Sequence, residues 1–111
     1  VWGTGEEERD LLYVDDLTSF VEKAIKSQKK PYELYNCGYG SAISIRDLVH
    51  KIIDLSGEKI DVNYDTSQPT IKTSLTLDCS KAKTELGWKP QVSLDEGIQR
   101  SILWWKDNIN N

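Results

Sequence analysis

Methionine is absent from the 111 residues, and histidine and cysteine are scarce. A single histidine, His50, is too few for the multi-histidine sites that hold catalytic zinc, and we expect it on the exposed side of a helix. Cys37 and Cys79 are too few for a disulfide framework and lack metal-ligand spacing. We therefore expect no metal site, and two partly buried thiols in a reducing cytoplasm.

Long apolar runs and excess positive charge are also missing. No segment approaches the roughly 20 apolar residues of a membrane-spanning helix, and no signal peptide opens the sequence. The net charge of −4 disfavours non-specific binding to nucleic acid. A hydrophobic content of 38% and a charged content of 29% are typical of a soluble globular protein. We therefore expect neither a membrane nor a nucleic acid as partner.

The length allows one folding unit. A chain of 111 residues can bury a single core but not two. The sequence begins Val-Trp-Gly without an initiator methionine. We therefore expect residues 1–111 to be a single segment cut from a longer protein.

Strand-like and helix-like patterns alternate along the chain, which predicts an α/β architecture. Strands are predicted at residues 10–14, 32–37, 59–64 and 74–77. Helices are predicted over residues 16–27, between the Ser44 cap and the Gly57 stop, from Asp78 through Leu86, and after the Ser93 cap.

Packing positions follow from these patterns. Five apolar residues of the first helix share one predicted face: Leu17, Phe20, Val21, Ala24 and Ile25. Among the later tryptophans, we expect Trp88 and Trp105 in the core and Trp104 half exposed. Asp15 and Asp16 are interpreted as helix N-caps, and an acid/base pair is the alternative.

Arg9 stands where a glycine-containing loop enters the first predicted strand. Its planar guanidinium could hold a phosphate or carboxylate through two parallel hydrogen bonds. The alternative is a surface ion pair with Glu6, Glu7 or Glu8. The residues alone leave both interpretations open.

Several blocks of the sequence carry a family resemblance. They are Val-Trp-Gly-Thr-Gly at residues 1–5, Arg-Asp-Leu-Leu-Tyr-Val-Asp-Asp at 9–16, Tyr-Asn-Cys-Gly-Tyr-Gly at 35–40, Asp-Cys-Ser-Lys-Ala-Lys at 78–83, Leu-Gly-Trp-Lys-Pro at 86–90 and Ser-Leu-Asp-Glu-Gly at 93–97. In order and spacing they resemble the C-terminal half of the extended short-chain dehydrogenases/reductases. Those enzymes are NAD(P)-dependent epimerases, dehydratases and reductases of nucleotide sugars.

The resemblance implies what this segment does not carry. The family's glycine-rich cofactor loop and its Tyr-x-x-x-Lys pair belong to an N-terminal, dinucleotide-binding half. No tyrosine here is followed by lysine at that spacing. We therefore expect no catalytic and no cofactor-binding residue in the chain. NAD or NADP is expected in the full-length enzyme and not in this fragment.

The resemblance also implies a substrate site. In the branch that includes GDP-fucose synthase, residues matching Val1, Trp2 and Arg9 contact the nucleotide, and the arginine binds the diphosphate. That branch has a second cation at the position of Leu75, and Lys72 is the nearest cation that could replace it. The predicted substrate-binding residues are therefore Val1, Trp2, Arg9 and Lys72.

Two functions follow as hypotheses. The first is the C-terminal, nucleotide-sugar-binding portion of an NAD(P)-dependent epimerase, dehydratase or reductase, catalytically incomplete by itself. Its partners would be a nucleotide-diphosphate sugar and the missing N-terminal half, with a second copy of the chain as a further partner. The alternative is a stand-alone α/β interaction or regulatory module without catalytic activity.

Overall fold

Two short antiparallel strands and four helices make up the computed structural model, which describes residues 1–109. In chain order the elements are β1 (Glu8–Asp10), α1 (Val14–Ser27), β2 (Ala42–Ser44), α2 (Ile45–Ser56), α3 (Ser80–Leu86) and α4 (Leu94–Asn108). The predicted α/β class is confirmed. No helix within residues 1–109 is long and apolar enough to cross a membrane.

The sheet differs most from the sequence-based prediction. β1 pairs with β2 so that Arg9 lies opposite Ile43. Two isolated parallel bridges extend this framework, one joining Trp2 to Asp65 and the other joining Glu8 to Ser74. The strand expected at residues 10–14 is therefore displaced towards the N-terminus, because residues 11–13 already lead into α1.

The other strand predictions were wrong. Residues 32–37 and 59–64 form no strand, and residues 74–77 contribute only the single bridge at Ser74. Apolar alternation favours an extended backbone, but a strand also needs a neighbour to exchange ladder hydrogen bonds. No such neighbour stands beside residues 32–37 or 59–64 in the described chain. β2 was missed because it is three residues long and passes directly into α2.

Helix α1 begins two residues earlier than expected. Its N-cap is Tyr13, which has no side-chain capping bond. The prediction that Asp15 and Asp16 are N-caps is therefore wrong, because both already lie in the first turn. Asp15 instead pairs with Arg100 of α4 at 3.3 Å. Asp16 is buried, and its two carboxylate oxygens accept the backbone N–H groups of Gln91 and Val92 at 2.9 and 3.0 Å.

Other helix ends agree with the prediction. The hydroxyls of Ser44 and Ser93 accept the N–H groups three residues on, at 3.0 and 3.2 Å. Gly57 and Gly87 end their helices in left-handed backbone. Asp78 accepts Ser80 N–H at 2.9 Å from one residue before the N-cap of α3. These caps fix where the loops leave α2 and α3.

The core is centred on Trp88, which is 1% exposed. It packs with two buried residues of α3, Ala82 and Leu86, and meets the Phe20 ring edge-on with centroids 5.2 Å apart. The indole N–H donates to the backbone oxygen of Asp16 and the hydroxyl of Ser19, at 3.2 and 3.0 Å. The prediction that Trp88 is a core residue is confirmed.

The apolar residues of α1 form one stripe, but only one edge of it is covered. Phe20 and Ala24 pack on the Trp88 cluster. The others point outward with 47% to 80% of their surface exposed: Val14, Leu17, Val21 and Ile25. Tyr32 and Leu34, in the segment after α1, are also exposed. We call these six residues the outer apolar face.

Helices α2 and α4 pack against each other beside an open cavity. An apolar cavity of about 550 Å³ lies between them and residues 11–13. Trp105 lines this cavity and is 46% exposed, so the prediction that it is a core residue is wrong. Trp104 is more exposed than expected, at 60%. The periodicity of α4 predicted a buried face without showing what would cover it.

Candidate functional site

Two segments run side by side at the start of the fold, and together they contain the predicted binding residues. The first covers residues 1–9 and the second covers residues 65–77. Gly3 N–H donates to the Asp65 carbonyl at 2.8 Å, and Glu8 N–H donates to the Thr73 carbonyl at 3.0 Å. The two segments are therefore joined at both ends, at residues 1–3 and at residue 8.

Gly3 shows how closely the segments approach. A Cβ atom at this position would lie 2.4 Å from the methyl carbon of Thr70. Since real Cβ atoms do not come that close to a neighbour, any larger residue would push the segments apart. The glycine after Trp2 is therefore needed for the pairing that carries the site.

Arg9 sits at one end of this pairing. Its Nη1 donates to the Glu8 carbonyl at 2.7 Å and to the carbonyl and hydroxyl oxygens of Thr73, both at 3.2 Å. No carboxylate of residues 1–109 pairs with it, and the Glu8 carboxylate instead accepts the Ser74 hydroxyl. The alternative of an ion pair with Glu6, Glu7 or Glu8 is therefore not seen.

The geometry leaves part of the Arg9 guanidinium available. Only Nη1 has hydrogen-bond partners among the described residues, and the N–H groups of Nε and Nη2 have none there. The Thr73 contacts hold the planar group in place. An arginine fixed by neutral acceptors keeps its full positive charge for a ligand.

The other predicted residues are divided between the two ends. Trp2 is 62% exposed and is anchored by its bridge to Asp65, while Val1 beside it is half buried. Lys72 is exposed and immediately precedes Thr73, the residue that holds Arg9. The structure thus places Arg9 and the residue next to Lys72 at one end of the pairing, with Val1 and Trp2 at the opposite end.

Hydrogen bonds of Asp65 order the loop at the Trp2 end of the pairing. The Asp65 carboxylate accepts from the Ser67 hydroxyl at 2.6 Å and from the Gln68 amide at 3.1 Å. These bonds, with the Ser67 side chain the largest contributor, hold the pKa of Asp65 below its usual range. The loop beneath Trp2 is therefore ordered by a charged carboxylate at neutral pH.

Sequence reasoning missed the support provided by Asp10. Its carboxylate accepts three backbone N–H groups, from Tyr39, Gly40 and Leu77. The only signal in the sequence was an acidic residue directly before an apolar run. Charged residues are seldom buried there without partners. The partners themselves, 29 to 67 residues away along the chain, could not be inferred.

Groups that could perform chemistry are not assembled here. Asp15 and Asp16 bind different partners on different sides of α1, which argues against the acid/base pair. Cys37 and Cys79 are free and half buried, as predicted. Burial raises the pKa of Cys37 to about 11 and also raises the pKa of Cys79, so both thiols are protonated at neutral pH. Residues 1–109 hold no cluster of three potential metal ligands.

The chain is similar to known nucleotide-sugar enzymes. Residues 1–101 match the family model described as GDP-mannose 4,6 dehydratase. A probable GDP-L-fucose synthase 1 from Oryza sativa subsp. japonica is 34% identical over 109 residues, which are 98% of this chain and 33% of that protein.

Solved structures of nucleotide-sugar enzymes are also similar to this chain. UDP-glucose 4-epimerase from Thermotoga maritima, determined with UDP-glucose, matches with a TM-score of 0.89 and 29% identity over 98% of this chain and 35% of its own. dTDP-glucose 4,6-dehydratase from Bacillus anthracis, in complex with NAD, matches with a TM-score of 0.87 and 26% identity over 99% and 35%. The chain thus spans about a third of the length of these proteins.

Proposed function

Because the chain belongs to the GDP-mannose 4,6-dehydratase family of extended short-chain dehydrogenases/reductases, we propose that it binds the nucleotide sugar for an NAD(P)-dependent epimerase, dehydratase or reductase. The family resemblance carried by the sequence blocks is confirmed. In this proposal the chain supplies substrate recognition, and the remaining two thirds of a family-length protein supply the hydride chemistry.

The observation that carries the proposal is the state of Arg9. Its guanidinium is held by Thr73 and has no carboxylate partner within residues 1–109, which leaves two of its nitrogens for diphosphate oxygens. Lys72 adds a second positive charge beside Thr73. Trp2, with most of its surface exposed, offers a flat apolar face to a nucleoside base. Val1 would complete the contact from the residue before it.

Cofactor and catalytic residues belong elsewhere in this proposal. NAD or NADP would bind the dinucleotide-binding half, and the dehydratase relative from Bacillus anthracis was determined in complex with NAD. We assign no catalytic, cofactor-binding or metal-binding residue to residues 1–111. The two free, protonated thiols suit a reducing compartment, and we propose a cytoplasmic location.

The outer apolar face identifies where the rest of such a protein would dock. Val21 and Ile25 are on α1 and Tyr32 and Leu34 follow it, with 47% to 80% of each exposed. Exposed apolar patches of this kind mark interaction sites. We propose that the dinucleotide-binding half covers this face in a family-length protein, and that a second copy covers it when the 111-residue chain is alone.

Arg9→Ala should weaken nucleotide binding. Half of a site is expected to bind a nucleoside diphosphate with about millimolar affinity, near −4 kcal/mol. Removing a charge-assisted hydrogen bond costs about 1.5–3 kcal/mol, which would weaken binding by about tenfold or more. Titrations with GDP, UDP and ADP, followed by backbone amide shifts, provide the measurement.

Arg100→Ala is the matched control, because Arg100 binds Asp15 and Glu96 and has no contact with residues 65–77 among its hydrogen bonds and ion pairs. This variant should titrate like the wild type. Shifts should cluster at residues 1–9 and 70–75. No shifts at high ligand concentration, or shifts scattered elsewhere, would contradict the proposal and favour the stand-alone interaction or regulatory module. The exposed Leu75 at the position of the family branch's second cation would fit that module.

Dinucleotides should leave the melting temperature of the chain unchanged. A ligand stabilises a protein only by binding its folded state, and the glycine-rich loop that holds NAD(P) is expected outside residues 1–111. Thermal melts with NAD, NADP and no addition make the comparison. A saturable increase with either dinucleotide would show that the chain carries cofactor-binding residues that we have not assigned.

A further inference from the structure

Asp10, the residue after Arg9, connects three parts of the chain. Its Oδ1 accepts from Tyr39 N–H at 2.7 Å, and its Oδ2 accepts from Gly40 N–H at 3.0 Å and from Leu77 N–H at 3.1 Å. The carboxylate therefore joins the end of β1 to the turn at residues 38–40 and to the end of the 65–77 segment. Backbone N–H bonds to a carboxylate are stronger than those between neutral groups.

The turn is shaped around this carboxylate. A Cβ atom at Gly38 would lie 3.1 Å from Oδ2 of Asp10 and 2.9 Å from Cδ1 of Leu77. Only a glycine lets the backbone approach both groups so closely. The three segments are therefore packed in contact, and Asp10 is not a surface carboxylate that happens to find donors.

Asp10 and Arg9 hold the same loop from two points. Successive side chains of a strand point to opposite faces, so the two residues reach different parts of the segment. Arg9 contacts Thr73, and Asp10 contacts Leu77 four residues later. Lys72 lies directly before the first of these contacts. Fixing both points determines where residues 72–77 lie beside the guanidinium.

We propose that Asp10 is a positioning residue for anion binding. Its carboxylate fixes residues 72–77 against β1, so that Arg9 and Lys72 present their positive charges to one diphosphate. Asp10 would not touch the ligand, because its acceptors are occupied by backbone N–H groups. This inference rests on the proposed nucleotide-binding function.

Asp10→Asn tests the role, and the chain offers a matched control. Asparagine keeps the shape but replaces one acceptor oxygen with an NH₂ group, which cannot accept a backbone N–H. Asp16→Asn makes the same exchange at a buried carboxylate whose partners, the Gln91 and Val92 N–H groups, belong to neither the 38–40 turn nor the 65–77 segment. Both variants lose stability, but only the first should disturb the site.

The binding readout is the dissociation constant for UDP and GDP, obtained from amide-shift titrations. Asp10→Asn should weaken binding about tenfold, equivalent to ~1.4 kcal/mol. Asp16→Asn should bind like the wild type even though it melts at a lower temperature. Unchanged binding in Asp10→Asn, or equal weakening in both variants, would overturn the positioning role.

A measurement without ligand tests the positioning role of Asp10 separately from the proposed nucleotide-binding function. The Glu8 amide donates to Thr73 and reports the pairing beside Arg9. Its hydrogen exchange should accelerate in Asp10→Asn and not in Asp16→Asn. Unchanged Glu8 exchange in Asp10→Asn would overturn the positioning role even if no nucleotide binds. A wild-type chain that shows no shifts with nucleotide would overturn the proposed function alone.

Discussion

Trp88→Ala should destabilise the chain more than any other single truncation. Trp88 is 1% exposed, and its truncation would leave a cavity against Phe20, Ala82 and Leu86. Truncation of a buried aromatic residue to alanine costs about 3–5 kcal/mol. Since small domains are stable by only about 5–15 kcal/mol, we expect little folded protein at 37 °C. Urea unfolding followed by circular dichroism measures the loss.

The indole hydrogen bonds add to the expected effect. Removal of the side chain takes the indole donor from the Ser19 hydroxyl and from the Asp16 backbone oxygen, which still accepts the Ser19 hydroxyl. Loss of a hydrogen bond costs about 0.5–1.5 kcal/mol net. Trp88→Phe separates the two contributions, because it keeps most of the buried area and loses the N–H. It should therefore lie between the wild type and the alanine variant.

Trp104→Ala is the control for Trp88. It removes the same side chain from α4, where 60% of its surface is exposed. Surface substitutions usually change stability by less than about 0.5 kcal/mol. Equal losses in the two alanine variants would contradict the assignment of the core to Trp88.

Much of the helical fold could be predicted because helix ends are local. Ser44 and Ser93 each bond a backbone N–H three residues away, and Gly57 and Gly87 need only their own conformation. A short window of sequence contains all of this information. The tryptophan between two turn residues, Trp88, was identified as core for the same reason.

The strands could not be predicted in the same way. Strand formation at residues 32–37 or 59–64 depends on a neighbouring strand that is far away in sequence. Apolar alternation does not identify that neighbouring strand. The partial covering of the apolar stripe of α1 has the same cause. Phe20 and Val21 look alike in a periodic pattern, yet only Phe20 meets Trp88.

The candidate site was predictable in its residues but not in its support. Arg9 and Trp2 were selected from the family resemblance together with the chemistry of their side chains. Arg9 is held by Thr73, which is 64 residues away along the chain. Asp10 organises the loop through partners that are up to 67 residues away. Such contacts follow from the fold and not from spacing, which explains why Asp10 was missed.

The second large effect concerns assembly. We expect the 111-residue chain to self-associate through the outer apolar face. Four of the six residues of this face lie on α1, and Tyr32 and Leu34 follow the helix in a segment that forms no strand. Burial of apolar surface is the main favourable term in such association.

Sedimentation over a range of concentrations should show the mass increase with concentration. The double variant Val21→Lys/Ile25→Lys places two charges on the outer apolar face, and we expect it to sediment as a monomer at every concentration. Both residues are well exposed in the chain, at 47% and 80%, so the charges can remain in water and the fold is retained. Circular dichroism verifies that α1 is still helical.

Leu103→Lys is the matched control, because Leu103 is a 60% exposed apolar residue of α4, outside the outer apolar face. It should associate like the wild type, since the charge is introduced away from the contact. Loss of association in Leu103→Lys alone would place the interface on the last helix and contradict the proposal. A wild-type chain that stays monomeric at high concentration would show that the outer apolar face can remain exposed to solvent without a partner. The face would then no longer mark where the rest of a family-length protein docks.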